Sequence, residues 1–249
     1  MVNLLLIDAK WEGEIKVTDK LKNYLKEKNI KSIALFASVQ FTDLKNFIKE
    51  LEKNKIKVNI TKAKRTNENI QVLGCDCYED SFKENIIKNS ELILYVGDGL
   101  FHPKALLLAQ KKEIKTNNFK PVVIFNPATN QINILEKKEI EKQIQRYKRN
   151  LRFFINSKTI GILVTIKPGQ QYFNVAKNLK EKLKEQGKKA YIFIDDIINI
   201  NQLENYPFIQ SWVNTACPRI GTDDIVNVEQ PIINIKEAVN PIKALEELE

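Results

Sequence analysis

Sulfur is scarce in this chain, with three cysteines and one methionine, the initiator, among 249 residues. So few thiols exclude a disulfide-framed secreted scaffold. The two closest, in Gln71-Val-Leu-Gly-Cys-Asp-Cys77, suit neither a zinc finger nor a CxxC redox pair. A single histidine, His102, excludes a multi-histidine metal site. There is no Walker loop, no GxGxxG and no Ser–His–Asp set. No apolar run reaches the roughly 18–20 residues of a membrane span. The apolar start Met1 to Ile7 has no basic region before it, so no secretory signal is expected. Those absences point to the cytoplasm, where thiols stay reduced and serve as ligands or catalysts more often than as disulfides.

Arginine is also rare. Of 40 basic residues only Arg65, Arg146, Arg149, Arg152 and Arg219 are arginines, in a chain of net charge +9. Lysines such as Lys177, Lys180, Lys182 and Lys184 sit on what read as the wet faces of helices. No basic stripe is interleaved with aromatics, so direct nucleic-acid binding is not expected, although the charge favours docking to an acidic partner.

What is present is an alternation of strands and helices. Strands are predicted at Leu4–Ile7, Ser32–Ser38, Lys57–Thr61, Leu92–Val96 and Val122–Phe125. Helices are predicted over Thr18–Lys28, Asp43–Lys53 and Pro103–Gln110; Leu44, Phe47, Ile48 and Leu51 share one face of the second. The theme returns with a strand at Thr159–Thr165, a turn at Lys167-Pro-Gly-Gln170, a helix over Tyr172–Gln186 ended by Gly187, and a strand at Ala190–Ile194. Lys31-Ser-Ile-Ala-Leu-Phe-Ala-Ser and Lys158-Thr-Ile-Gly-Ile-Leu-Val-Thr begin matching units. The expected fold is therefore α/β: two similar open, mainly parallel-sheet domains related by duplication, 1–140 and 141–249, with the boundary in the charged helical stretch from Glu136 to Arg152. Each copy is expected to present a thiol after its second strand, Cys75 in one and Cys217 in the other, at equivalent positions beyond a strand's carboxyl end. Two such sites, far apart in sequence, suggest ligands delivered to one cofactor from two domains.

The motifs Val213-Asn-Thr-Ala-Cys-Pro-Arg219 with trailing aspartates, Gln71-Val-Leu-Gly-Cys75, Asp98-Gly-Leu-Phe-His-Pro103 and the Lys167-Pro-Gly-Gln170 turn resemble the diphthamide-synthesis family, the 2-(3-amino-3-carboxypropyl)histidine synthases. In archaea these modify translation elongation factor 2. The resemblance implies α/β domains that each give one cysteine to a central 4Fe-4S cluster, here Cys75 and Cys217. It also implies S-adenosylmethionine on the open iron, and radical transfer of its 3-amino-3-carboxypropyl group to a histidine of the elongation factor. It covers the family's second and third domains. The first domain and its cysteine are accordingly expected from a partner polypeptide, or a second subunit of the family is expected to complete the site. The alternative is a non-catalytic scaffold or electron-delivery subunit of the same complex.

The chemistry of these residues agrees with that resemblance. Iron in such clusters prefers thiolate, and a Cys-Pro step stiffens a ligand loop. Arg219 has the planar fork to hold a carboxylate such as that of the methionyl moiety, or else pairs with Asp223 or Asp224 to shape the loop. Asp223 and Asp224 are candidates for the substrate ammonium or for capping a following helix. Gln170 is a candidate to hydrogen-bond the cofactor, and Gln40 a weaker one. Arg219, Asp223 and Gln170 are thus the catalytic candidates, and with Asp224 the cofactor-binding ones. Cys77 reads as a bystander or a replacement ligand, and His102 as a residue that shapes the pocket.

Overall fold

The computed structural model describes residues 9–78, 81–167, 172–222 and 228–249. They form two compact units, Met1–Ile140 and Glu141–Glu249. Among the described residues no helix is long and apolar enough to cross a membrane.

The first unit is a five-stranded sheet in the order β2-β1-β3-β4-β5. Its strands are β1 (Ser32–Ala37), β2 (Lys57–Asn59), β3 (Leu92–Val96), β4 (Val122–Asn126) and β5 (Gln131–Leu135). The first four run parallel, and β5 returns antiparallel to β4. β1 and β3 are the continuous apolar runs that a sheet covered on both faces requires; every residue of β3 is buried. Helix α1 (Asp19–Glu27) starts at Thr18, whose hydroxyl accepts the Leu21 N–H at 3.4 Å, and it buries Leu21 and Leu25. Helix α2 (Lys45–Lys53) turns Phe47 and Leu51 inward, where Phe47 stacks on Phe125 of β4 with ring centres 5.6 Å apart. Helix α3 (Phe101–Ala109) is apolar almost all round and buries Ala105 to Leu108, as befits a helix joining two central strands.

The second unit has four parallel strands in the order β7-β6-β8-β9: β6 (Thr159–Thr165), β7 (Lys189–Asp195), β8 (Ser211–Asn214) and β9 (Ile232–Asn234). Helix α4 (Glu141–Asn156) enters it, α5 (Phe173–Glu185) connects β6 to β7, and α6 (Ile235–Ala238) and α7 (Pro241–Glu246) end it. Ala176, Leu179 and Leu183 of α5 pack with Ile160, Ile162 and Val164 of β6 in one core.

Strand order relates the two units. The first strand of each lies beside the second and third, and the fourth lies beyond the third, so β2-β1-β3-β4 corresponds to β7-β6-β8-β9. That shared order overturns one expectation from the sequence, because the two cysteines are not equivalent. Cys75 lies between the second and third strands of its unit, whereas Cys217 lies between the third and fourth of its own. The reason is β8, which is four residues long, so short that its periodicity is hidden. Missing it makes Cys217 look like a feature of the preceding connection. β9, three residues long, is hidden for the same reason; β5 is a mostly exposed edge strand whose apolar run is broken by Gln131 and Asn133, and Leu4–Ile7 lies outside the described residues.

Candidate functional site

Parallel strands send their carboxyl ends to a single edge, and that edge is where each unit gathers its motifs. In the first unit the segment carrying Cys75 is tied to the end of β1. Ala37, its last residue, forms a parallel bridge with Gln71, donating to Ile70 O at 2.8 Å and accepting from Val72 N at 3.1 Å. A tight turn follows, closed by Asp76 N on Leu73 O at 2.9 Å. Gly74 lies directly against Phe101 there: a Cβ would come within 2.6 Å of that ring, which would have to shift. The turn leaves Cys75 half-buried and buries Cys77 completely. The Cys77 thiol faces Gly74 O at 3.5 Å, inside its own turn, and is not presented with Cys75.

Two contacts bind this turn to an earlier stretch of the loop. The buried Asp76 carboxylate accepts the backbone N–H of Arg65 at 2.5 Å, and Arg65 Nη1 reaches Cys75 Sγ at 3.6 Å. Lys64 N on Ser81 O at 2.9 Å anchors the same stretch.

His102 stands in the connection after β3, beside Phe101. Its Nδ1 lies 3.2 Å from the hydroxyl of Tyr95, so the geometry gives it a positioning contact. Burial pushes the Tyr95 phenol up to about 12, and the Asp98 carboxylate acts in the same direction. The sign follows from linkage: an unfolded tyrosine titrates near pH 10, so the contribution of the protonated phenol is complete below pH 10 and lost as pH rises towards 12. The expected result is a loss of about 2–3 kcal/mol of stability across that window. Alkaline denaturant titrations of Tyr95→Phe should lack this loss, at a cost of about 1 kcal/mol at neutral pH for the missing hydroxyl contact.

In the second unit two asparagines hold the Cys217 loop. Asn214 ends β8, and its side-chain amide donates to Cys217 O and to Asn234 Oδ1, each at 2.8 Å. Its Oδ1 accepts the Ala216 N–H at 3.0 Å. Asn234 ends the neighbouring β9 and donates to Pro218 O at 2.9 Å. Thr215 fastens the entry to the loop, its hydroxyl on Leu163 O at 2.8 Å, and Ile220 N closes onto Cys217 O at 3.0 Å. A Cβ on Gly221 would lie 2.4 Å from Asn234 Oδ1, so glycine lets the loop lie against that side chain. Cys217 is left half-buried, and Arg219 is buried to 5% exposure. Gln170, Asp223 and Asp224 lie outside the described residues; Gln40 is exposed, with its backbone carbonyl accepting from Trp11 at 2.8 Å.

Within its own unit each cysteine loop has the same design: a half-buried cysteine on a loop pinned at the carboxyl edge of a parallel sheet. Among the described residues no three His, Cys, Asp or Glu side chains group closely enough to hold a metal ion. Sequence reasoning missed Arg65, Asp76, Asn214 and Asn234. Arg65 carried a signal in its rarity, and Asn214 in its place inside the Cys217 motif, whereas nothing local marks Asn234.

Fold and site together define a class, an α/β protein presenting thiols from the carboxyl edges of its sheets. The chain belongs to the family described as "Putative diphthamide synthesis protein", whose sequence model matches residues 3–247. It is 29% identical over 167 residues to the 2-(3-amino-3-carboxypropyl)histidine synthase of Pyrococcus horikoshii, covering 67% of this chain and 44% of that protein. It is likewise 29% identical over 206 residues to the synthase of the same name from Methanocaldococcus jannaschii, covering 78% and 54%. Among solved structures it is similar to Dph2 from Pyrococcus horikoshii with a 4Fe-4S cluster, with a TM-score of 0.69, 26% identity and coverage of 94% of this chain and 63% of that one. The chain thus spans about half the length of the curated relatives it matches.

Proposed function

We propose that this chain is part of a 3-amino-3-carboxypropyl transferase that modifies a histidine of translation elongation factor 2, the first step of diphthamide synthesis. The observation that carries the reading is the pair of half-buried cysteines, Cys75 and Cys217, each on a loop fixed at a sheet's carboxyl edge, in a chain similar to a Dph2 that was crystallised with a 4Fe-4S cluster.

The donor set fits such a cluster in kind, since thiolate sulfur is what its iron takes. Cys75 and Cys217 would be two of the ligands. A third thiolate is proposed to come from polypeptide outside these 249 residues, either a further segment or a partner subunit. A cluster held there would supply one-electron reduction of bound S-adenosylmethionine, whose 3-amino-3-carboxypropyl group is transferred as a radical. The chain's own part is to orient and bind. Asn214 and Asn234 hold the carbonyls of Cys217 and Pro218 and so fix the loop on which the half-buried cysteine sits. Arg219, buried beside the loop's Cys-Pro step, offers a guanidinium for the carboxylate of the methionyl moiety. Gln170, Asp223 and Asp224 are proposed to complete the cofactor contacts.

The test is anaerobic reconstitution with iron and sulfide in the presence of the missing thiolate donor, followed by reduction with S-adenosylmethionine and elongation factor 2. Release of methylthioadenosine together with aminocarboxypropylated histidine is expected. Release of 5′-deoxyadenosine, or no cleavage from a complex full of iron and partner, would refute the reading.

A further inference from the structure

Arg65 is an exposed arginine in a chain that has only five, and its side chain reaches a sulfur. Its Nη1 is 3.6 Å from Cys75 Sγ, ten positions further along the loop. The contact is set from both ends. Asp76, next to the cysteine, is buried and takes the Arg65 backbone N–H at 2.5 Å, so the residue after the thiol fixes the main chain of the residue whose guanidinium touches the thiol. The Cys75 backbone is fixed in turn by the Gly74 turn against Phe101 and by the bridge from Gln71 to the end of β1. A guanidinium free to swing would make no such closed loop of contacts.

We propose that Arg65 is a positioning residue for Cys75: it directs the sulfur outward and places a fixed positive charge beside it, making a cluster bound there easier to reduce. The second half of this statement rests on reading Cys75 as a cluster ligand. Hydrogen bonds to ligand sulfurs and the local charge are two of the levers that set the potential of such a cluster. Arginine suits the task because its planar fork keeps its charge at any working pH and in a fixed direction. Lysine would keep the charge and lose the direction.

Two measurements separate the contact from its consequence. In the metal-free chain at about 0.15 M salt, where screening confines charge effects to about 8 Å, Cys75 is reacted with an anionic and with a neutral aromatic disulfide. Modification of Cys75 is followed by peptide mass spectrometry. The anionic-to-neutral rate ratio should fall roughly 3- to 10-fold in Arg65→Gln. It should be largely kept in Arg65→Lys and unchanged in Arg152→Gln, which alters net charge equally. An unchanged ratio in a folded Arg65→Gln chain overturns the proposal whatever binds at Cys75. In the reconstituted complex, Arg65→Gln should retain iron and show a lower reduction potential, with Arg65→Lys in between. An unshifted potential, or a wild-type complex that takes up no iron, removes the tuning role while the first measurement still decides the contact.

Discussion

Cys217→Ser is expected to abolish the iron–sulfur chromophore of the reconstituted complex and to lower cleavage of S-adenosylmethionine by more than about 100-fold, since outer-shell changes alone cost 10- to 100-fold at metal sites. Cys75→Ser should do the same. Serine is nearly the shape of cysteine, and both residues are only partly buried, so neither change removes a fully packed core group. The metal-free fold should stay within about 0.5 kcal/mol of wild type in urea titrations. Cys77→Ser should behave in the opposite way. Its thiol is fully buried and turned towards Gly74 O, so the change disturbs the turn without removing a presented ligand. Iron content and product release, measured beside unfolding, distinguish these cases. If Cys75 and Cys217 were both replaceable while histidine modification survived, the chain would serve as a scaffold or electron-delivery subunit.

Asn214→Ala is expected to cost the second unit about 2–4 kcal/mol and to dislodge Cys217 without touching it. One side chain here makes three contacts: to Cys217 O, to Asn234 Oδ1 and from Ala216 N. Asn214 is 1% exposed, so water cannot replace the lost partners without rearrangement, and buried groups left unsatisfied cost about 1–3 kcal/mol each. Asn214→Asp tests the same geometry more sharply. It retains an acceptor for Ala216 N while setting an anionic oxygen against Cys217 O and Asn234 Oδ1. The aspartate should therefore be no better than alanine for iron retention, and its loss of stability should grow as pH rises and the carboxylate ionises. Urea titration and iron content read both effects.

Sequence periodicity carried a great deal of the fold. β1, β3, β4 and β6 are uninterrupted apolar runs, and α1, α2 and α5 have one wet and one dry face, so their residues alone disclose them. β8 and β9 are four and three residues long, with no room for a period, and their pairing with β6 and with each other is a property of the assembled sheet. The cost of missing β8 was specific: Cys75 and Cys217 looked like copies of one position and are not. They reach the same kind of place, a sheet's carboxyl edge, through different connections. The thiols were legible because cysteine is rare and sits in recognisable motifs. Their holders were not, because Asn234 is twenty residues from Asn214 and only the adjacent ends of β8 and β9 bring the two together.

Thiol protection tests most directly the proposed role of Cys75 and Cys217 as cluster ligands. The reconstituted complex is alkylated anaerobically before and after its iron is removed by a chelator, and each cysteine peptide is quantified. Cys75 and Cys217 should both be protected while iron is bound and become reactive together, in step with its loss. Alkylation of either one at its metal-free rate, with the iron still in place, would contradict the account.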